Sequence, residues 1–239
     1  MTIKHSALEQ SIKVYDRQYH SRGMSSQRTY PNESLIQFLA SRYFGKPANQ
    51  RGAIRVLEVG CGSGSNLWMM AKEGFETHGL DSSAEALKLA DSHLRGKWGV
   101  AANLKEGSFM KMPYEAACFD AVVDVVSLQG LNLADSALVL REVARVLKPS
   151  GAFFSYRLSD RSSISMAGLP IDRVTLENVT DASLPLANNG PLSFWSPELA
   201  RDMYNEAGFS LESVERVGRT YANAAFVEYL KLVGIPQIE

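Results

Sequence analysis

Between residues 54 and 158, short β-rich runs alternate with helical patterns, and the first run ends in three glycines within five residues. That run, Ile54-Arg55-Val56-Leu57-Glu58-Val59, reads as a strand, and Gly60-Cys61-Gly62-Ser63-Gly64 follows it. A helix is expected over residues 65–73, with Leu67, Met70 and Ala71 on one face and Gly74 as its stop. A second strand over 75–80 ends at Asp81, and Ser82 with Glu85 has capping-box spacing for the next helix. Further strands are expected over 100–105 and 119–126, the latter almost wholly apolar, as a strand covered on both faces should be. Asp135 or Ser136 is placed to cap a helix carrying Leu138, Val139, Val143, Val146 and Leu147. Lys148-Pro149-Ser150-Gly151 then turns the chain into a strand over 152–158. Strands and helices at this spacing make βαβ units, hence a parallel sheet with right-handed crossovers.

The flanks read differently. Residues 1–45 hold a polar, tyrosine-rich stretch and an amphipathic helix with Leu35, Phe38, Leu39 and Tyr43 on its apolar face. Residues 159–192 are rich in Ser, Asp and Asn, and a connection this long is usually a lid or substrate loop. Ser196-Pro197-Glu198 starts a helix that Gly208 ends, and β-rich runs over 211–217 and 225–233 add strands at one sheet edge. The 239 residues are expected to form one domain: a cap (1–45), a cofactor-binding core (46–158), an inserted lid (159–192) and a C-terminal helix with edge strands (193–239). The net charge of −1 gives no bulk footprint for nucleic acid. Two cysteines, Cys61 and Cys118, suit a reducing compartment rather than a disulfide framework. The first ten residues lack a signal peptide's apolar core, and no run approaches the roughly twenty apolar residues of a spanning helix. A cytoplasmic protein with no membrane partner is the expectation, with a homodimer left open.

Glycines at a strand-to-helix junction let the backbone approach a ligand and adopt angles closed to other residues. The helix start beyond them offers unpaired N–H groups. Asp81, at the end of the next strand, stands about twenty residues on, where a carboxylate accepts hydrogen bonds from a ribose diol. A dinucleotide site is disfavoured, because Gly64 interrupts the G-x-G-x-x-G frame that starts at Gly60. A sharp turn with no ligand is the plain alternative, which Asp81 weakens.

The stretch V-L-E-V-G-C-G-S-G resembles motif I of class I S-adenosylmethionine-dependent methyltransferases. Further segments resemble that family in order: Gly79-Leu80-Asp81-Ser82-Ser83, Glu106-Gly107-Ser108-Phe109 with Met112-Pro113, Phe119-Asp120-Ala121-Val122-Val123-Asp124, and Arg145-Val146-Leu147-Lys148-Pro149-Ser150-Gly151. The resemblance implies an α/β, Rossmann-like, seven-stranded and mostly parallel sheet with helices on both faces and a reversed last strand. It implies S-adenosyl-L-methionine as cofactor and S-adenosyl-L-homocysteine as product. Gly60, Cys61, Gly62 and Gly64 would pass under its methionine part, with Glu58 orienting that loop or meeting the amino group. Asp81 would hold the ribose, Ser82, Ser108 and Phe109 would border the adenine, and Asp124 and Val125 would lie near the amino-acid end. Ser108 departs from the Asp of many relatives and accepts a hydrogen bond more weakly.

Methyl transfer from a sulfonium needs an aligned nucleophile and exclusion of water, plus a base if the acceptor is a hydroxyl or ammonium. Candidate catalytic residues are His20, Tyr19 and Tyr15, although a histidine there is as readily solvated and the tyrosines as readily packing residues. Candidate substrate contacts are Tyr30, Gln129, Asn132, Tyr156 and Arg157. Gln129 stands where many small-molecule relatives carry histidine, and an amide takes no proton. No metal is expected, since His5, His20, His78 and His93 are isolated. Asp124-Val125-Val126-Ser127 replaces the Asn-Pro-Pro-Tyr of base and glutamine methyltransferases. The expectation is O- or N-methylation of a metabolite or sugar-like acceptor. An RNA or protein methyltransferase and a catalytically silent cofactor-binding scaffold are the competing readings.

Overall fold

The computed structural model describes residues 7–222 and 224–237, so the start of the expected cap, His5 included, lies outside the described residues. Six α-helices are α1 (Ala7–Arg22), α2 (Glu33–Tyr43), α3 (Leu67–Lys72), α4 (Ala84–His93), α5 (Leu133–Val146) and α6 (Pro197–Glu206). The strands are β1 (Arg55–Val59), β2 (Glu76–Asp81), β3 (Asn103–Glu106), β4 (Phe119–Val125), β5 (Leu147–Leu158), β6 (Thr175–Leu176), β7 (Leu192–Ser193), β8 (Phe209–Thr220) and β9 (Phe226–Pro236). Seven of them make one sheet in the order β3-β2-β1-β4-β5-β9-β8. β1 to β5 pair in parallel, whereas β9 runs antiparallel to both β5 and β8. The expected seven-stranded, mostly parallel sheet is therefore present. Its reversed strand is β9, the last in the chain, which sits between β5 and β8 at one end of the sheet.

Alternation along the strands sorts side chains into two apolar layers. Leu57, Val122 and Phe153 meet Val139 and Val143 of α5 and Tyr204 of α6. Val56, Ala121, Val123 and Phe154 meet Leu35 and Phe38 of α2 and Leu67 of α3. Helices thus cover both faces, as a parallel sheet requires. Among the described residues no helix is long and apolar enough to cross a membrane.

Three local differences from the sequence reading have physical causes. The helix expected over 65–73 starts only at Leu67, because the chain before it is taken up by the glycine bend. The turn expected at 148–151 is a bulge within β5: Leu147 pairs with Phe119, Ala152 pairs with Ala121, and Lys148 reaches both Asp120 oxygens at 2.9 Å. The cap of α5 is Asn132, not Asp135 or Ser136. Its side chain accepts from the Asp135 N–H at 2.8 Å, while the Leu133 N–H donates to Asp172 at 2.9 Å.

The 159–192 segment is more than a loop. β6 and β7 pair antiparallel, and Ile164, Leu176, Val179 and Leu192 form a small core with Leu158, Phe194 and Val227. Asp172 anchors its tip by accepting from the Val174 and Thr175 N–H groups.

Replacing the α5 cap, Asn132→Ala, should cost about 1 kcal/mol of stability through loss of the capping bond. Denaturant unfolding of the variant would measure it.

Candidate active site

After β1 the chain bends through Gly60 (φ 67°), Gly62 (φ 50°) and Gly64 (φ 79°). These left-handed angles suit glycine, and the space demands it as well. A Cβ on Gly60 would lie 2.3 Å from the Ser127 Cβ and Oγ, and one on Gly62 would lie 2.8 Å from the Tyr19 hydroxyl. The bend is tied to the neighbouring strands. Gly60 and Cys61 N–H groups donate to the Leu80 carbonyl at 2.7 and 3.1 Å, and Ser127 Oγ donates to the Gly60 carbonyl at 2.9 Å. Ser127 is brought there by Val126, whose φ of 60° is unusual for a β-branched residue.

Asp81, at the end of β2, braces the bend from the other side. Its Oδ2 accepts from the Gly62 N–H at 2.8 Å and its Oδ1 from the Ser83 N–H at 3.0 Å. Burial raises its pKa even so. Ser83 caps α4 and donates to Asp16 of α1 at 2.6 Å.

Glu58 is 2 % exposed. Its Oε1 accepts from Asn66 Nδ2 at 2.5 Å, whereas its Oε2 is buried with no hydrogen-bond partner. Burial pushes its pKa up to about 8, against the Asn66 hydrogen bond and the charge of Arg28, which lower it.

These groups line a cavity of about 470 Å³. Its floor includes Glu58, the glycine bend and Asp81 to Ser83, and its wall after β4 includes Val125, Ser127 and Gln129. α1 contributes Leu8, Ser11, Ile12, Tyr15 and Tyr19, while Leu186 and Asn189 come from the 159–192 segment. Arg22 and Arg28 are the cations on its border. Ser108 lies in a smaller neighbouring cavity of about 250 Å³ that shares Leu8, Ile12, Ser82 and Phe109 with the main one.

Of the residues singled out from sequence, Glu58, Gly60, Cys61, Gly62, Asp81, Ser82, Phe109, Val125, Gln129, Tyr15 and Tyr19 all meet at this cavity. The others do not line it. Gly64 faces Ala90 and Leu94 behind the bend. Asp124 is fully buried scaffold, accepting from the Ser127 and Leu128 N–H groups and from Ser155 Oγ. His20 points to solvent and contacts Asp16 at 3.5 Å. Tyr30 packs edge-on against Trp68 and Trp98 at the surface. Tyr156 stacks on Tyr229, and Arg157 is buried over the Trp195 ring. Asn132 is spent on the α5 cap. Sequence reasoning gave no site role to Arg28 or to Ser127, which it named only within the Asp124–Ser127 stretch, and it placed Leu186 and Asn189 no more finely than in the expected lid segment.

A family profile described as a methyltransferase domain matches residues 56–151. The ubiquinone biosynthesis O-methyltransferase of Thiobacillus denitrificans is 32% identical over 171 residues, which is 70% of this chain and 68% of that protein. The chain belongs to the class I S-adenosylmethionine-dependent methyltransferases. The demethylmenaquinone methyltransferase of Lactobacillus johnsonii is 36% identical over 99 residues, so the aligned part spans only 40% of that relative and 40% of this chain. Among solved structures, the 1,6-didemethyltoxoflavin-N1-methyltransferase of Burkholderia thailandensis, with S-adenosylhomocysteine bound, has a TM-score of 0.68 at 16% identity. That match covers 100% of this chain and 93% of the other, and it speaks for the fold.

S-adenosylmethionine is the cofactor of this methyltransferase family, and the residues present fit it. A bend stripped of side chains and an unpartnered buried carboxylate oxygen are what a zwitterionic amino-acid tail needs.

Two outcomes follow for binding of S-adenosylhomocysteine measured by calorimetry. Gly62→Val should abolish it, since the side chain fills the space in front of Tyr19 and φ is left-handed. With its pKa pushed up to about 8, Glu58 would have to ionise in order to pair with the ammonium of a cofactor's amino-acid tail. Binding should therefore release a proton near neutrality, and affinity should rise with pH towards about 8. Glu58→Gln should remove both effects.

Proposed function

We propose that this methyltransferase methylates a small-molecule hydroxyl or amine that is held beneath α1 and the 159–192 segment. One observation carries the reading: α1 lies over the glycine bend, and Leu186 and Asn189 of the 159–192 segment line the same cavity, a capped pocket of the kind that takes a small ligand rather than an open groove for a polymer. The names of the matched relatives, which act in quinone biosynthesis, point the same way.

When bound, the cofactor supplies an electrophilic methyl group on a sulfonium. Glu58 Oε2 would take its amino group, Arg28 its carboxylate, and Asp81 its ribose hydroxyls, exchanging the Gly62 and Ser83 N–H bonds it now accepts. Phe109 and Ser82 would border the adenine, with the smaller cavity beside Ser108 as overflow. The acceptor would then sit between Tyr15, Tyr19 and Gln129, where α1 excludes water.

Proton removal is the chemical question this cavity raises. Burial raises the pKa of Tyr15 and of Tyr19, so both are neutral phenols that donate hydrogen bonds instead of taking protons. Gln129 is an amide, and its buried Oε1 lacks a partner, so it is free to accept a hydrogen bond from an acceptor hydroxyl. Such a site favours acceptors acidic enough to ionise on their own, a phenol or enol before an aliphatic alcohol.

The test is transfer of labelled methyl groups from S-adenosylmethionine into fractionated small metabolites, followed by a series of phenols of graded acidity. Rates should follow the ionised fraction of each phenol. Labelling confined to RNA or protein fractions would overturn the reading. Asp81→Ala should weaken cofactor binding by about 1–3 kcal/mol, through loss of hydrogen bonds to a charged group.

A further inference from the structure

Asn66 occupies the N-cap position of α3, yet its side chain makes no capping bond there. Asparagine in that place ordinarily accepts from the second or third N–H of its helix. Here the amide is spent elsewhere, with the residue fully buried. Its Oδ1 accepts from the Asn32 N–H at 2.9 Å, and its Nδ2 donates to Glu58 Oε1 at 2.5 Å. The two bonds fix the orientation of the amide: turned over, it would set a carbonyl against the carboxylate and an NH2 against an N–H. Asn32 in turn caps α2 by accepting from the Leu35 N–H at 3.2 Å.

The consequence lies on Glu58. One carboxylate oxygen is held by Asn66, and the other is left buried and without a hydrogen-bond partner, in a residue that lines the cavity. A free carboxylate would rotate to satisfy both oxygens. This one is clamped through one oxygen by Asn66, and the other oxygen has no partner. The clamp also runs onward through Asn32 to the segment that places Arg28 on the cavity border.

We propose that Asn66 is a positioning residue, which aims the open oxygen of Glu58 at the amino group of the cofactor's methionine part. The inference rests on the methyltransferase reading of the cavity. Asn66 touches no reacting atom and acts through Glu58.

The experiment compares two probes by calorimetry on the full chain: S-adenosylhomocysteine, which carries the amino-acid tail, and 5′-methylthioadenosine, which lacks it. Asn66→Ala should weaken S-adenosylhomocysteine about tenfold or more, the scale of a hydrogen bond to a charged group, and leave methylthioadenosine within about twofold. In a Glu58→Gln background the same change should add little, because its target is gone. The Asn66 bond also lowers the Glu58 pKa, so in Asn66→Ala the pH of strongest S-adenosylhomocysteine binding should move up. Asn66→Ser, which leaves room for a water between the stranded groups, should show the same selectivity if Asn66→Ala does not fold. Equal weakening of both probes, or of neither, would overturn the positioning role. If the unaltered chain binds neither probe, the methyltransferase reading fails first, and the inference with it.

Discussion

Everything in this cavity depends on a carboxylate taken out of water and left half satisfied. Glu58 sits one residue before the end of β1, fully within the sheet, where an ionised group is costly. The site meets that cost with one amide bond from Asn66, a nearby cation in Arg28, and a pKa raised until the group keeps its proton. In the proposed binding mode a ligand ammonium would complete the arrangement, and binding and ionisation would be one event, with the glycine bend leaving room for that ligand.

The bend is held by three groups from the ends of two neighbouring strands, β2 and β4. Leu80 supplies a carbonyl, Asp81 a carboxylate and Ser127 a hydroxyl, so β1, β2 and β4 must be in register before the loop takes shape. The left-handed Val126 stores backbone strain in order to deliver Ser127, as functional sites commonly do. The roof is built differently. α1 buries only Ala7, Ser11 and Tyr19, and it is held by polar contacts: Ser11 to the Gly130 carbonyl at 3.1 Å, Asp16 to Ser83 at 2.6 Å, and Gln18 to Asn189 at 3.4 Å. An element with little apolar burial opens at lower free energy than the sheet beneath it. Rigid floor and loosely held roof suit a site that must admit a ligand and then exclude water.

How much of this was legible differs from element to element. The parallel sheet and its two covered faces follow from the strand–helix alternation and from the apolar run of β4, which are local signals, whereas the reversed strand was implied by the family resemblance. The α5 cap was misread because Asn132, Asp135 and Ser136 all have capping chemistry; Asn132 takes the role by accepting from the Asp135 N–H, while the Leu133 N–H is met by the distant Asp172. Tyr156 and Arg157 are neighbours on β5, so alternation sends them to opposite faces. One meets Tyr229 and the other Trp195, and neither meets the cavity. Tyr30, a candidate substrate contact from sequence, lies outside the cavity, on the Trp68 and Trp98 rings.

The amino-acid sequence by itself determined the bend and its two acids. Positive φ, missing side chains and strand-end position are set within a few residues of chain, so Gly60, Gly62 and Asp81 could be named before any fold was drawn, and Glu58 through the family resemblance. Tertiary structure alone decided what faces them. Ser11 reaches Gly130 across 119 positions, Gln18 reaches Asn189 across 171, and Arg28 arrives beside Glu58 only when its segment docks on Asn66 and Trp68. Such pairings depend on how packed layers seat flexible segments, and no local pattern encodes them.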